Sequence, residues 1–569
     1  MDSIESARRV TAALAAAGIT DVVLAPGSRS APLAYALAEA EERGELRIHV
    51  RIDERVGAFT ALGLALGAQR PAAVVTTSGT AVGELLPAVM EANHAAVPLV
   101  VLSADRPEEL RGTGANQTTR QPGLFGVHVR AAVDVPAGTD PAPYLARALA
   151  EARGASGPAG PVHVNLAFRD PLVPRIDGAA GSAGAAPNEA GTEPGSATTT
   201  STVTAAEITT ASTRTTTTPA PSGDHNGART VVVAGHSAGE LAAVFAQHLG
   251  LPLLAEPSSN ARFGSSVIGA YRLLLERFGP RIERAVVFGR PTLSRPVAAL
   301  LARTDVERAL YLPEPQAWFE EGRRPERLIS TIDELLSFAG RGADGWLSEW
   351  RKAGARAEAA LQLHLADEPV LSGLHVADAV WENTTDNLVL GSSNPIRDVD
   401  LMATGDWHPL EVYANRGLAG IDGSISTAAG IALAAGIPTR LLVGDLTFLH
   451  DAGGLLLGTG EEEPDLQVVV LNDSGGGIFG LLEHGNPATL ERYGSAVERL
   501  FGTPHSANLA ALAEGYGVPH RLISTVDELD AALEEPISGR SVLEVRTDRA
   551  ALRAMHARVK QAVLDAVGR

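Results

Sequence analysis

Asp445 and Asp473 are the residues best suited to chemistry, because each closes a short apolar run and they stand 28 positions apart. TRLLVGD (439–445) and LQVVVLND (466–473) read as buried parallel strands. Open α/β sheets bind ligands at the carboxyl ends of their strands, where loops and helix N-termini converge. A separation of this size suits one crossover between neighbouring strands, which brings both carboxylates to one crevice. Ser474-Gly475-Gly476-Gly477 follows the second acid, and its glycines let backbone approach a metal and phosphates closely. Magnesium takes about six oxygens and commonly joins one or two carboxylates to bound phosphates. The pair therefore points to a diphosphate cofactor held by Mg²⁺ or Mn²⁺. Taken singly, either acid reads equally well as a strand-end cap.

Glu54, in Arg51-Ile52-Asp53-Glu54-Arg55, falls where a strand ends and a helix starts, a place where the dipole alone favours a carboxylate. One further segment could carry chemistry. Gly235-His236-Ser237-Ala238-Gly239 follows the strand TVVVAG and has the form of a nucleophile elbow. A serine hydrolase using Ser237 would also need an oxyanion loop of the HGGG type, and none occurs.

The elements that must hold these residues alternate strand with helix. DVVLAPG (21–27), LRIHVRI (46–52), AAVVTTSG (72–79) and PLVVLSAD (98–105) read as strands. Alanine-rich segments at 31–43, 54–69 and 80–95 have helical spacing, and Asp2 to Glu5 caps an opening helix over 3–17. RTVVVAGHSAG (229–239) and AVVFGR (285–290) open a second unit. NLVLGSS (387–393), the two acid-bearing strands and SVLEVR (541–546) form a third. The fold class is α/β, with doubly wound parallel sheets. The expected domains are 1–175, 229–360 and 361–569. Between the first two lies 176–228, whose Ala, Gly, Ser, Thr and Pro bury too little to offset ordering entropy, so a disordered linker is expected.

Composition removes other classes. The 569 residues contain no cysteine, which excludes disulfides and thiol nucleophiles. With 47 basic against 67 acidic residues the net charge is −20, which argues against nucleic acid as a partner. No run of about 18 apolar residues suggests a membrane span. The start, MDSIESARRV, lacks an apolar core, so a cytoplasmic protein is expected.

The interval from Gly444-Asp445 to Asn472-Asp473 resembles the metal motif of the thiamine diphosphate enzyme family, which runs from Gly-Asp-Gly to Asn-Asn. Leu446 replaces the motif's last glycine, and Asp473 its last asparagine, which keeps an oxygen ligand in place. The resemblance implies three domains of the thiamine diphosphate-binding type and the Gly475 carbonyl as a third metal ligand. It assigns the pyrimidine half of the cofactor to Glu54, Pro26 and Gln117. The apolar wedge that bends the cofactor falls on Ile421, and further cofactor contacts fall on Ser392 and Ser393. Glu54 would hydrogen-bond the pyrimidine ring and favour the imino tautomer that takes the thiazolium proton.

Six segments sharpen this resemblance: APGSRSAPL (25–33), IDERVGAF (52–59), SADRPEELRGTGANQT (103–118), NRGLAGIDGSISTAAG (415–430), GDLTFLHD (444–451) and LNDSGGGIF (471–479). They are similar to the menaquinone-pathway synthases that join 2-oxoglutarate to isochorismate. Both substrates are polyanions, and arginine's planar fork suits carboxylates. The substrate contacts implied are Ser28, Arg29, Arg106, Ser393, Arg397 and Arg416, with Ile478 and Phe479 as walls. Arg295 joins them, although Ser294 stands where many relatives have lysine. An acetolactate-synthase-like enzyme is the alternative, although pyruvate chemistry requires fewer cations. The resemblance also implies a homodimer or dimer of dimers, with the site between subunits.

Overall fold

The computed structural model describes residues 1–175, 227–319 and 322–568. The expected linker 176–228 lies outside these, except for Gly227 and Ala228, the latter bridging to Gly342. Among the described residues the strands form three sheets, and every strand pair is parallel.

The first sheet contains β1 (Asp21–Leu24), β2 (Arg47–Val50), β3 (Ala72–Thr76), β4 (Leu99–Asp105), β5 (Ala131–Val135) and β6 (Val162–Ala167), in the order β2-β1-β3-β4-β6-β5. The second contains β7 (Thr230–Ala234), β8 (Leu253–Ala255), β9 (Arg284–Phe288), β10 (Glu307–Tyr311) and β11 (Arg327–Ile329), in the order β11-β10-β9-β7-β8. The third contains β12 (Asn387–Leu390), β13 (Glu411–Tyr413), β14 (Thr439–Gly444), β15 (Leu466–Asn472), β16 (His520–Ile523) and β17 (Arg540–Arg546). Its order, β13-β12-β14-β15-β17-β16, repeats that of the first sheet strand for strand. The central strands are buried along their length, as their uninterrupted apolar runs require.

In both of these sheets the helix after the second strand faces the corresponding helix of the other. Glu54–Ala68 packs on Ser424–Ala435 with backbone nearly in contact. A Cβ added to Gly63 would lie 2.0 Å from the Thr427 carbonyl oxygen, and one added to Gly430 would lie 2.2 Å from that of Thr60. Both positions therefore require glycine. Residues 56 to 65 are buried without a break, as befits a helix covered on every side.

Asp2 caps the opening helix Ser3–Ala16, its carboxylate accepting from the Glu5 N–H at 2.8 Å. The expected helix 80–95 is instead two helices, Thr80–Gly83 and Leu86–Ala95. Pro87 has no N–H to return to the preceding turn, so the first helix stops and the second starts with proline in its first turn. No helix among the described residues is long and apolar enough to cross a membrane.

Candidate active site

Strands β14 and β15 are hydrogen-bonded neighbours, so Asp445 and Asp473 emerge side by side at the carboxyl edge of the third sheet. Asp445 is 2% exposed. Its Oδ1 accepts from the Leu446 N–H at 2.7 Å, and its Oδ2 accepts from the Gly475 N–H at 2.8 Å. His505, from a loop 60 residues downstream, places Nε2 3.0 Å from the same Oδ2. Oδ1 of Asp473 is buried with no protein partner. Burial, with the Asp445 charge adding to it, pushes the Asp473 carboxyl up to about 7. Asp445 is also raised, chiefly by burial. A buried and a half-buried carboxylate, the first opposing ionisation of the second and the second with an unpaired oxygen, form a hard donor set that fits a divalent cation.

The glycines around this pair have steric reasons. A Cβ on Gly475 would lie 2.3 Å from the Gly502 carbonyl oxygen, and one on Gly477 would lie 2.1 Å from Oδ2 of Asp473 itself. Beside the acids, β12 gives way to helix Asn394–Met402 through Ser392 and Ser393, the latter at φ 89°. Ser392 Oγ and Asn394 Oδ1 are buried without protein partners at this helix start. The free Ser392 hydroxyl, a donor at a helix N-terminus, suits a diphosphate.

A second cluster sits at the carboxyl edge of the first sheet. Glu54 is the first residue of its helix, and the preceding Asp53 accepts from the Val56 N–H at 3.1 Å. Burial raises the Glu54 carboxyl, and the charges of Asp53 and Glu84 add to the effect. Gln117, held at φ 54°, donates from Nε2 to the Ser78 carbonyl at 2.8 Å. Arg106 donates to Ser78 Oγ and, at 2.7 Å, to the Gln117 carbonyl. Burial lowers the Arg106 pKa, and the charge of Arg29 lowers it further. Arg29 donates to the Phe168 carbonyl at 2.9 Å, while its Nε is buried without a protein partner. Two neighbouring guanidiniums, one with a free donor, suit an anion. Pro26 and Ser28 are exposed beside them.

The loop carrying Arg416 and Ile421 is held by both other units. Arg416 is 4% exposed and donates to Thr292 Oγ1 at 2.8 Å and to the Thr292 carbonyl at 3.0 Å. Glu91 accepts from the N–H groups of Gly417 and Leu418 at 2.6 and 2.7 Å, and Arg290 donates to the Gly417 carbonyl at 2.7 Å. Burial and the neighbouring Arg416 lower the pKa of Arg397, so these two cations share a region. Arg295 stands apart from it. It pairs with Glu483 at 2.6 Å on the surface, both side chains 67% exposed.

Phe479 meets Phe501 at a tilt, centroids 5.6 Å apart, and His484 stacks on Phe501 at 4.1 Å. Ile478 is half-buried beside this group. An open cleft of about 990 Å³ runs from Asp473 past Phe479 to Arg549 and Arg553. Ser237, in contrast, is exposed at φ 57°, and among the described residues its hydroxyl makes no bond to a histidine. Its neighbour His236 bonds Ser258 Oγ at 3.0 Å, and burial depresses that ring to about 3. Gly235 is needed for packing, since a Cβ there would lie 2.1 Å from the Pro291 nitrogen.

Sequence reasoning missed Ser78, Glu91, Phe501 and His505. Ser78 and Gly79 end the run AAVVTTSG as a strand-end turn, which was a usable signal. Nothing in TPHSAN (503–508) marks His505, because its partner is remote in sequence.

Residues 4–124 match the family model described as the thiamine pyrophosphate enzyme N-terminal TPP binding domain, and residues 403–545 match its C-terminal counterpart. The chain is 59% identical to the 2-succinyl-5-enolpyruvyl-6-hydroxy-3-cyclohexene-1-carboxylate synthase of Paenarthrobacter aurescens, covering 100% of this chain and 98% of that one. It is 57% identical to the synthase of the same name from Renibacterium salmoninarum, covering 99% and 98%. Against that from a Nocardioides species it is 44% identical, covering 98% and 97%. Among solved structures, benzoylformate decarboxylase from Polynucleobacter necessarius superposes with a TM-score of 0.64 over 96% of this chain and 99% of that one. At 16% identity this is a likeness of fold alone.

Proposed function

We infer the reaction from a plain premise: the chain belongs to the family of 2-succinyl-5-enolpyruvyl-6-hydroxy-3-cyclohexene-1-carboxylate synthases, thiamine diphosphate enzymes of menaquinone biosynthesis. It is a carbon–carbon bond-forming transferase. 2-Oxoglutarate loses carbon dioxide, and its remaining four carbons are joined to isochorismate by conjugate addition. The observation that carries this reading is the pairing of two chemistries. One is the hard oxygen donor set of Asp445 and Asp473, with its orphaned Asp473 Oδ1. The other is the cationic ground around Arg29 with Arg106 and Arg397 with Arg416. The first suits a metal-held diphosphate, and the second suits two polyanionic substrates.

When bound, thiamine diphosphate supplies the electron sink that decarboxylation requires. The remaining contributions come from the chain. Asp445, Asp473 and the Gly475 carbonyl would hold Mg²⁺ or Mn²⁺ against the diphosphate. Ser392 and Ser393, at the start of helix Asn394–Met402, would meet the phosphate oxygens with hydroxyl and backbone donors. Glu54, whose carboxyl burial raises, would offer its proton to the pyrimidine ring nitrogen. Pro26 and Gln117 bound the pyrimidine half, and Ile421 sets its bend. Ser28, Arg29, Arg106, Ser393, Arg397 and Arg416 orient carboxylates through charge-assisted bonds. Arg295 would join them only after leaving Glu483. Ile478 and Phe479, the latter beside Phe501 and His484, would form the apolar wall of the cleft. By likeness to the family the chain is read as a homodimer or dimer of dimers in which each site draws on two subunits, Glu54 from one and the metal-binding acids from the other. The same reading places the enzyme in the cytoplasm.

The test is direct. The purified protein with Mg²⁺, thiamine diphosphate, 2-oxoglutarate and isochorismate should consume isochorismate, followed by its absorbance. Turnover of pyruvate without turnover of this pair would overturn the substrate assignment in favour of an acetolactate-synthase-like activity.

A further inference from the structure

We propose that His505 is a positioning residue for the metal centre, one that fixes Asp445 so that a single lone pair of its Oδ1 faces the cation. The inference rests on the metal reading given above and assigns a role to a residue outside its ligand set.

The argument follows from how the acceptor positions of Asp445 are filled. A carboxylate offers about four lone-pair directions, two on each oxygen. Oδ2 uses both of its own, one for the Gly475 N–H at 2.8 Å and one for His505 Nε2 at 3.0 Å. Oδ1 uses one, for the Leu446 N–H at 2.7 Å. One direction on Oδ1 is left. Its natural counterpart is the buried, unpartnered Oδ1 of Asp473 on the neighbouring strand.

The ring's tautomer is set by its other nitrogen. Nδ1 of His505 accepts from the Ala507 N–H at 3.2 Å, so the proton lies on Nε2, which donates to Asp445. The ring is anchored on the side of the glycine turn as well. The His505 N–H donates to the Ser474 carbonyl at 3.4 Å, and the Gly476 N–H donates to the Gly502 carbonyl at 2.8 Å. The loop that carries His505 is therefore fastened to the turn between the two acids. A histidine donating to a ligating carboxylate is a known outer arrangement around metals, and losing such a partner weakens metal affinity by about 10–100-fold.

The experiment measures metal uptake without turnover. Mn²⁺ binding in the presence of thiamine diphosphate is followed by loss of the free-ion EPR signal for the wild type, His505→Ala, His505→Gln and Asp473→Ala. Thermal melts of the metal-free proteins check folding. His505→Ala should bind Mn²⁺ about 10–100-fold more weakly with an unchanged melt. His505→Gln, which keeps a side-chain N–H donor, should recover most of that loss. Equal or tighter binding by His505→Ala would overturn the proposal, as would a His505→Gln variant that folds yet binds as weakly as the alanine. If the wild type itself took up no Mn²⁺, or Asp473→Ala bound as well as the wild type, the metal reading would fail and the role of His505 with it.

Discussion

Replacing Glu256 with Gln keeps the side chain's shape and removes one buried charge from behind Arg416. Glu256 is 2% exposed, and its Oε1 accepts from the N–H groups of Thr292 and Leu293 at 3.0 and 2.9 Å. That turn is the one whose Thr292 anchors the Arg416 guanidinium. Burial pushes the Glu256 carboxyl up from 4.5 to about 7, against the opposing pull of the Leu293 N–H. The folded protein thus holds this proton more tightly than the unfolded chain does. Stability from this group is full below about pH 4.5 and is lost as pH rises towards about 7. At about 1.4 kcal/mol per pH unit, the ionised carboxylate costs up to about 3 kcal/mol at pH 8 and under about 1 kcal/mol at pH 5. Glu256→Gln removes that cost. The variant should be more stable than the parent by about 2–3 kcal/mol at pH 8 and nearly level with it at pH 5, read from urea midpoints. Because Gln retains Oε1 for both N–H groups, the KM for the anionic substrates should change little. A gain at pH 8 no larger than that at pH 5 would refute the reasoning, since the fold would then not favour the neutral acid.

Three other outcomes are expected. Asp473→Asn keeps an oxygen donor and should retain Mg²⁺ binding by calorimetry, whereas Asp473→Ala should lose it; equal binding by both would remove Asp473 from the metal site. Glu54→Gln should lower kcat by at least about 100-fold while thiamine diphosphate still binds, because proton chemistry is lost and shape is kept. Full activity in that variant would end the proposed role. Gly63→Ala drives a methyl group against the Thr427 carbonyl, which is backbone and cannot yield locally, so the two helices must part. A loss of about 3 kcal/mol in unfolding free energy is expected, and an unchanged midpoint would mean that the helix contact is looser than described.

The architecture was largely legible in the sequence because continuously apolar, β-branched runs such as AAVVT and LQVVVLN can only be central strands of a covered parallel sheet. Strand ends were read too long where the run continues into a turn: Pro26 and Gly27 lie beyond β1, which stops at Leu24. The helix expected over 80–95 failed at Pro87, a local rule that alanine-rich composition masked. The positions of the acids and Glu54 at strand ends and a helix start were legible, because an apolar run that stops at a carboxylate marks such an end. Glu256, Glu91 and His505 were not legible. Each acts on backbone or a side chain that is remote in sequence, and their own segments are unremarkable in composition. The Arg295–Glu483 ion pair was likewise not legible, because its two members lie 188 residues apart.

The glycine-tight pairing of helix Glu54–Ala68 with helix Ser424–Ala435 also sets a timetable for biosynthesis. The first helix is apolar around its whole circumference, and part of what covers it is encoded about 350 residues later. At roughly 5–20 residues per second, the ribosome leaves that surface without its partner for roughly 20–70 s. Over that interval the nascent first sheet has a greasy helix to shield. Chaperone cover for that surface during synthesis is the expected consequence of the order in which this chain is made.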